Sequence, residues 1–167
     1  PAMYLGSCRY KLPDYTEDPA PYKQIFERFE EYGISAFFYI GGNDSMDTVL
    51  KLSNYAKSIQ SDVKIIGVPK TIDNDLWGTD MTFGFQSAVD IATECIDCIH
   101  TTAYSHGRVF IVEVMGHKVG WLTLHAGIAG GADVILLPEI PYDIDSVIAA
   151  IEKRTNEGLS LIHISEP

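Results

Sequence analysis

Gly67-Val68-Pro69-Lys70-Thr71-Ile72-Asp73-Asn74-Asp75-Leu76-Trp77-Gly78-Thr79-Asp80 is the stretch whose reading decides the fold of this chain. It gathers a lysine, threonine hydroxyls and three aspartates just after the apolar run Val63, Ile65, Ile66, Val68. That run reads as a buried strand. Pro69 lacks an N–H and is expected to stop it, so the polar residues fall beyond the carboxyl end. In an open parallel α/β sheet, ligands bind at that edge. Clustered carboxylates repel one another, and a cation, a proton transfer or hydrogen bonding must offset the cost. Asp-Asn-Asp also makes good turns through its own side chains, so the string by itself admits a structural reading.

Three further loops carry glycine, hydroxyl or cationic groups. Gly41-Gly42-Asn43-Asp44-Ser45 follows the apolar run from Ile34 to Ile40. Two glycines let the backbone approach an anion, and Asp44 or Ser45 is placed to cap the helix that opens there. Met115-Gly116-His117-Lys118 follows the strand pattern Val109 to Val114, and Leu5-Gly6-Ser7-Cys8-Arg9 lies near the start.

Alternating elements fill the chain. Helices are expected from Asp18-Pro19 to Gly33 (apolar stripe Ile25, Phe26, Phe29, Tyr32), over 45–59, 82–102, 119–129 and 145–155. Strands are expected over 34–40, 63–68, 109–114 and 134–137. Strands separated by helices, with no hairpin signal, indicate an α/β fold: a doubly wound, mostly parallel sheet with helices on both faces. The chain has 167 residues, 46% hydrophobic and 21% charged, enough for a sizeable core. A net charge of −11 argues against non-specific nucleic-acid binding and against an anionic membrane surface. No apolar run reaches membrane-spanning length, and a reduced, cytoplasmic protein is expected. Cys95-Ile96-Asp97-Cys98 has the spacing of a redox or metal pair but lies inside an apolar helical pattern, so buried or half-buried thiols are expected. Trp77, Trp121, Phe83 and Phe85 read as core, and His100, His106 and His125 as surface or packing histidines.

Taken in order, these pieces resemble the phosphofructokinase family, and within it the pyrophosphate-dependent branch. The matching strings are Leu5 to Arg9, Gly41 to Ser45, Pro69 to Asp75 with Gly78-Thr79-Asp80, Ser105-His106-Gly107-Arg108, Glu113 to Gly116, Gly120-Trp121-Leu122, Gly130 to Asp133 and Pro138-Glu139. Pro-Lys-Thr-Ile-Asp-Asn-Asp is the specific one. Residues 1–157 then read as a catalytic-domain fragment of the Rossmann-like three-layer fold, truncated at both ends. Residues 158–167 read as a tail foreign to the fold, and His163 is set aside from any site.

The resemblance implies phosphoryl transfer from pyrophosphate to the 1-hydroxyl of fructose 6-phosphate, with magnesium (Mg2+) as the cation. It implies Asp73 as the base that takes the sugar proton. Thr71, Ile72, Asp73, Arg108, Met115, Gly116 and His117 would bind substrate; Arg9, Gly42, Asp44, Ser45 and Lys70 would bind or select the donor. Lys70 and Asp44 stand where ATP-using members carry glycine. Asn43 and Asp44 are the metal candidates, although the family usually has aspartate at the Asn43 position and commonly arginine at that of His117. Asp75 would orient the loop and Asp80 would cap the long helix. Arg108 would reach a neighbouring subunit, implying a homo-oligomer with shared sites. The alternatives are an ATP-dependent enzyme and a non-catalytic half that binds sugar phosphate or an effector.

Overall fold

The computed structural model of this protein describes residues 10–157 and the backbone of residues 161–165. Arg9 and the rest of the Leu5–Arg9 string, including Cys8, lie outside them. The chain divides into two compact units at Lys70 and Thr71, and each is built on its own apolar cluster.

In unit 1, α1 (Ala20–Glu31) starts where the Asp18 carboxylate accepts the Ala20 N–H at 3.1 Å. It buries Tyr22, Phe26 and Phe29, a one-face helical spacing. Tyr32, expected on that stripe, is 70% exposed because the helix has already ended and Gly33 turns the chain at φ 62°. The buried Tyr22 hydroxyl donates to the Pro13 carbonyl at 2.5 Å, and burial raises its pKa. β1 (Ala36–Gly41), α2 (Asn43–Ser58) and β2 (Lys64–Thr71) complete the unit. β1 and β2 pair in parallel from Ala36 opposite Lys64 to Gly41 opposite Pro69. Phe37 and Ile65 face the cluster formed with α1 and α2, while Phe38 and Ile40 alternate to the other face and stay 59% and 62% exposed.

β2 does not stop at Pro69 but runs on to Thr71. The proline sits at the last register position with β1, so its missing donor falls where that ladder is running out.

Unit 2 contains β3 (Phe83–Gly84), α3 (Phe85–His106), β4 (Val109–Glu113), α4 (Trp121–Ala129), β5 (Val134–Leu136), α5 (Ile144–Asn156) and β6 (Leu161–Ser165). β6 pairs in parallel with both β4 and β5 and is the middle strand. Residues 161–165, within the stretch read above as a tail foreign to the fold, thus occupy a strand position, for which Leu-Ile-His-Ile has suitable β-forming residues. α3 buries Phe85, Val89, Ile96 and Ala103, and Leu122 and Ala126 of α4 join the same cluster. Asp143 caps α5 by accepting from the Ser146 N–H at 3.0 Å and its hydroxyl at 2.9 Å, and these bonds hold its carboxyl below the usual range. Asp133, just before β5, pairs with Arg154 of α5 at 2.6 Å.

Several side chains are placed differently from expectation. Cys95 and Cys98 are exposed free thiols, because the buried stripe of α3 runs through Ile96 instead. Trp77 is fully exposed on its loop, and Phe83 and Trp121 are exposed as well; only Phe85 of the four aromatics is core. His100 packs as expected, its Nε2 2.6 Å from the Gly130 carbonyl oxygen. No helix among the described residues is long and apolar enough to cross a membrane.

The α3–α4 contact is tightest at Gly130, where a Cβ would stand 2.6 Å from Ile96 Cγ2 and 3.0 Å from the Ala126 carbonyl oxygen. Gly130→Ala is expected to lower stability by about 1–3 kcal/mol. Urea unfolding of wild type and variant measures it as a fall in midpoint.

Candidate functional site

In unit 1 the parallel register brings the donor-side residues to one edge. Gly41 is opposite Pro69, so Gly42 and Lys70 each lie one step beyond the last pair. Adjacent strands lie about 4.8 Å apart, which makes the two loops neighbours. Gly42 is the N-cap of α2, and no side chain caps the helix. Asp44 and Ser45 therefore do not cap it; they occupy its first turn with Asn43, because the helix opens earlier than position 45. Gly41 has no room for a side chain, since a Cβ there would run into the Ser45 hydroxyl. The first-turn N–H groups suit phosphate oxygens, and an acidic side chain such as Asp44 is itself favourable beside that positive pole. Lys70 is exposed.

In unit 2 the acidic loop is tied by one buried residue. Thr82, 3% exposed, donates its hydroxyl to the Thr71 carbonyl at 2.8 Å and its N–H to the Asn74 side-chain oxygen at 2.8 Å. Asn74 sits at φ 55°, a left-handed conformation that asparagine tolerates better than most residues. Inside this knot the Asp73 N–H donates to Thr71 Oγ1 at 3.2 Å. Asp73 Oδ1 is buried without a hydrogen-bond partner. A buried acceptor left unsatisfied is costly, which suits a carboxylate awaiting a hydroxyl proton or a cation. Ile72 packs on the cluster containing Val114 and Leu122. Asp80 is exposed and does not cap α3, whose N-cap is Gly84 at φ 101°; β3 intervenes between them.

Met115, Gly116 and His117 follow the carboxyl end of β4. Met115 is exposed, Gly116 is buried, and the Gly116 carbonyl accepts the Val119 N–H at 3.2 Å. His117 and Lys118 both have positive φ, 48° and 77°, so this turn carries backbone strain at two residues that are not glycine. Glu139 Oε1 accepts the Gly120 N–H at 2.7 Å and thereby fixes the entry to α4. Neither Asn74, Thr82 nor Glu139 was assigned a role from sequence; a threonine eight residues beyond an asparagine gives no local signal of pairing.

Arg108 lies elsewhere. It precedes β4, after the helix-ending Gly107 at φ 58°, whereas Met115 follows the other end of the strand. Seven residues of nearly extended chain span roughly 20 Å. Thr82 and Asp73 belong to the opposite end of α3, and 22 helical residues span about 33 Å. Within unit 2, therefore, Ile72, Asp73, Met115 and Gly116 flank one cluster and Arg108 is remote from them.

Among the described residues no three His, Cys, Asp or Glu side chains gather as a metal cage. Magnesium commonly binds through one or two carboxylates with water and substrate phosphates, and the open Asp73 oxygen fits that mode. The broad cleft of about 860 Å³ in unit 1, lined by α1, β1 and α2, contains none of the residues above.

The phosphofructokinase family model matches residues 1–167. The chain belongs to the phosphofructokinase family. It is 49% identical over 144 residues to an ATP-dependent 6-phosphofructokinase of Spirochaeta thermophila, covering 85% of this chain and 38% of that protein. It is 49% identical over 167 residues to ATP-dependent 6-phosphofructokinase 3 of Bacteroides thetaiotaomicron, covering 97% and 48% respectively. The chain thus spans less than half the length of these relatives. A crystal structure of a pyrophosphate-dependent phosphofructokinase from Marinobacter aquaeolei superposes with a TM-score of 0.82 at 34% identity, covering 96% of this chain and 41% of that one. The parallel α/β fold is that of the phosphofructokinases.

Thr82→Val keeps the shape but leaves the Thr71 carbonyl without its donor. It is expected to cost about 1–3 kcal/mol and to loosen the loop. Hydrogen exchange over residues 71–84 should quicken relative to α3.

Proposed function

We propose that a family-length protein carrying these residues transfers a phosphoryl group to the 1-hydroxyl of fructose 6-phosphate, giving fructose 1,6-bisphosphate in cytoplasmic glycolysis. The observation that carries this reading is the buried, unpartnered Asp73 oxygen in a loop of the family's most specific string. Asp73 takes the sugar hydroxyl proton as the nucleophile attacks. Thr71 and the Ile72 backbone hold phosphate oxygens, and Met115, Gly116 and His117 shape the sugar-phosphate side. Phosphoryl transfer depends chiefly on such positioning and on cations aimed at the transferring group. Magnesium, when bound with the phosphates, would supply charge neutralisation, with Asn43 and Asp44 the residues proposed to hold it.

Pyrophosphate is the proposed donor. Lys70 offers a point charge to a short donor, and Asp44 repels the additional phosphate of a nucleotide. The second reading, ATP as donor, is favoured by the bacterial relatives, which are named as ATP-dependent enzymes. Initial rates with each donor at equal concentration separate them: faster turnover with pyrophosphate is expected, and a strong ATP preference would remove this donor assignment.

Asp73→Ser in such a protein should lower turnover by roughly 10²–10⁴-fold, with little change in substrate affinity. Steady-state kinetics gives both numbers, and near-normal turnover would end the proposed role of Asp73.

The remoteness of Arg108 supports its acting in a second subunit's site, so the protein is proposed to be a homo-oligomer with shared sites. Asp73→Ser and Arg108→Ala proteins, each poorly active, should regain activity when dissociated and reassembled together. A mixture no more active than its parents would leave Arg108 without this role.

A further inference from the structure

Cys95-Ile96-Asp97-Cys98 is the sequence motif that phosphoryl transfer leaves unused. Both thiols are free and exposed on α3, with the fully buried Ile96 between them. Ile96 fixes the rotational phase of the helix, and residues three apart lie on one side of it. Their Cβ atoms in a regular helix stand about 5–6 Å apart. A disulfide needs roughly 3.5–4.5 Å between Cβ atoms, so oxidation would have to distort the helix. Distortion is opposed where Ile96 is wedged against Gly130, with no space for even one added carbon. A soft centre bonded to both sulfurs is different: at about 2.3 Å per bond it holds the sulfurs roughly 3.4 Å apart, well beyond the roughly 2.05 Å of a disulfide. Thiolates are also the ligands that soft centres select. No third His, Cys, Asp or Glu joins the pair among the described residues, so the centre must bring its remaining substituent with it.

We propose that Cys95 and Cys98 form a bidentate dithiol site for a soft, thiophilic centre of the monosubstituted trivalent arsenical type. The reaction with phenylarsine oxide balances without redox. Two arsenic–sulfur bonds form, the arsenic–oxygen double bond is lost, and the oxygen leaves as water with both thiol protons. Arsenic stays trivalent.

The test uses the full chain with Cys8→Ser throughout, so that only this pair can react. Mass spectrometry after phenylarsine oxide treatment is expected to give one adduct per chain, resistant to excess monothiol and removed by a dithiol. Far-UV circular dichroism should keep its helical signal. Cys95→Ser or Cys98→Ser alone should weaken retention by roughly a hundredfold or more, since the second bond is then lost. Absence of the adduct, equal retention in a single-cysteine variant, or loss of helix on binding would each overturn the proposal. So would ready formation of the Cys95–Cys98 disulfide by diamide with helicity unchanged, because a regular helix holds the two Cβ atoms too far apart for that bond.

Discussion

Burial of one stripe of α3 is the constraint on which unit 2 depends. Phe85, Val89, Ile96 and Ala103 recur at helical spacing and meet Val114, Leu122 and Ala126. Each buried aliphatic or aromatic side chain contributes about 1.5–3 kcal/mol. Because the stripe runs almost the full helix, it sets where both ends emerge. The amino end receives Ile72 and the Thr82 knot, and with them the open carboxylate of Asp73. The carboxyl end releases the chain through Gly107 to Arg108, some six helical turns away. The same helix that steadies the proposed base therefore removes the arginine from it.

The acidic loop illustrates how a site is kept polar without collapsing. Its hydrogen bonds are spent on its own backbone: Thr71 Oγ1 receives the Asp73 N–H, Asn74 Oδ1 receives the Thr82 N–H, and Thr82 closes on the Thr71 carbonyl. These satisfy the main chain and leave one Asp73 oxygen unused. In unit 1 a parallel principle operates through glycine. Gly41 yields its side-chain volume to Ser45, and α2 opens from Gly42 with its first-turn N–H groups uncapped by a side chain.

The proposed donor choice rests on two surface charges, and the bacterial relatives named ATP-dependent and the pyrophosphate-dependent structural neighbour stand on either side of it. Fold likeness does not discriminate donors, since function lies in particular side chains grafted on a shared scaffold. Lys70 and Asp44 differ from glycine by charge and bulk at solvent-facing positions, where a substitution changes binding without disturbing the core.

The order and type of the elements were legible in the chain, because apolar periodicity and glycine placement are local signals: α1, β1, α2, β2, α3, β4, α4, β5 and α5 all form close to where their patterns lie. So were the loops that carry Asp73, Lys70, Gly42 to Ser45 and Met115 to His117, since the family strings are contiguous. What each side chain meets follows from packing in three dimensions. Whether Pro69 breaks a strand depends on which partner it faces, and it faces the end of β1. Whether Cys95, Cys98, Trp77 and Tyr32 are buried depends on helix phase and length, which neighbouring elements set. Asn74 meets Thr82 across eight residues of loop, and Arg108 parts from Asp73 along a helix. Both are distances in space, which a one-dimensional pattern does not encode.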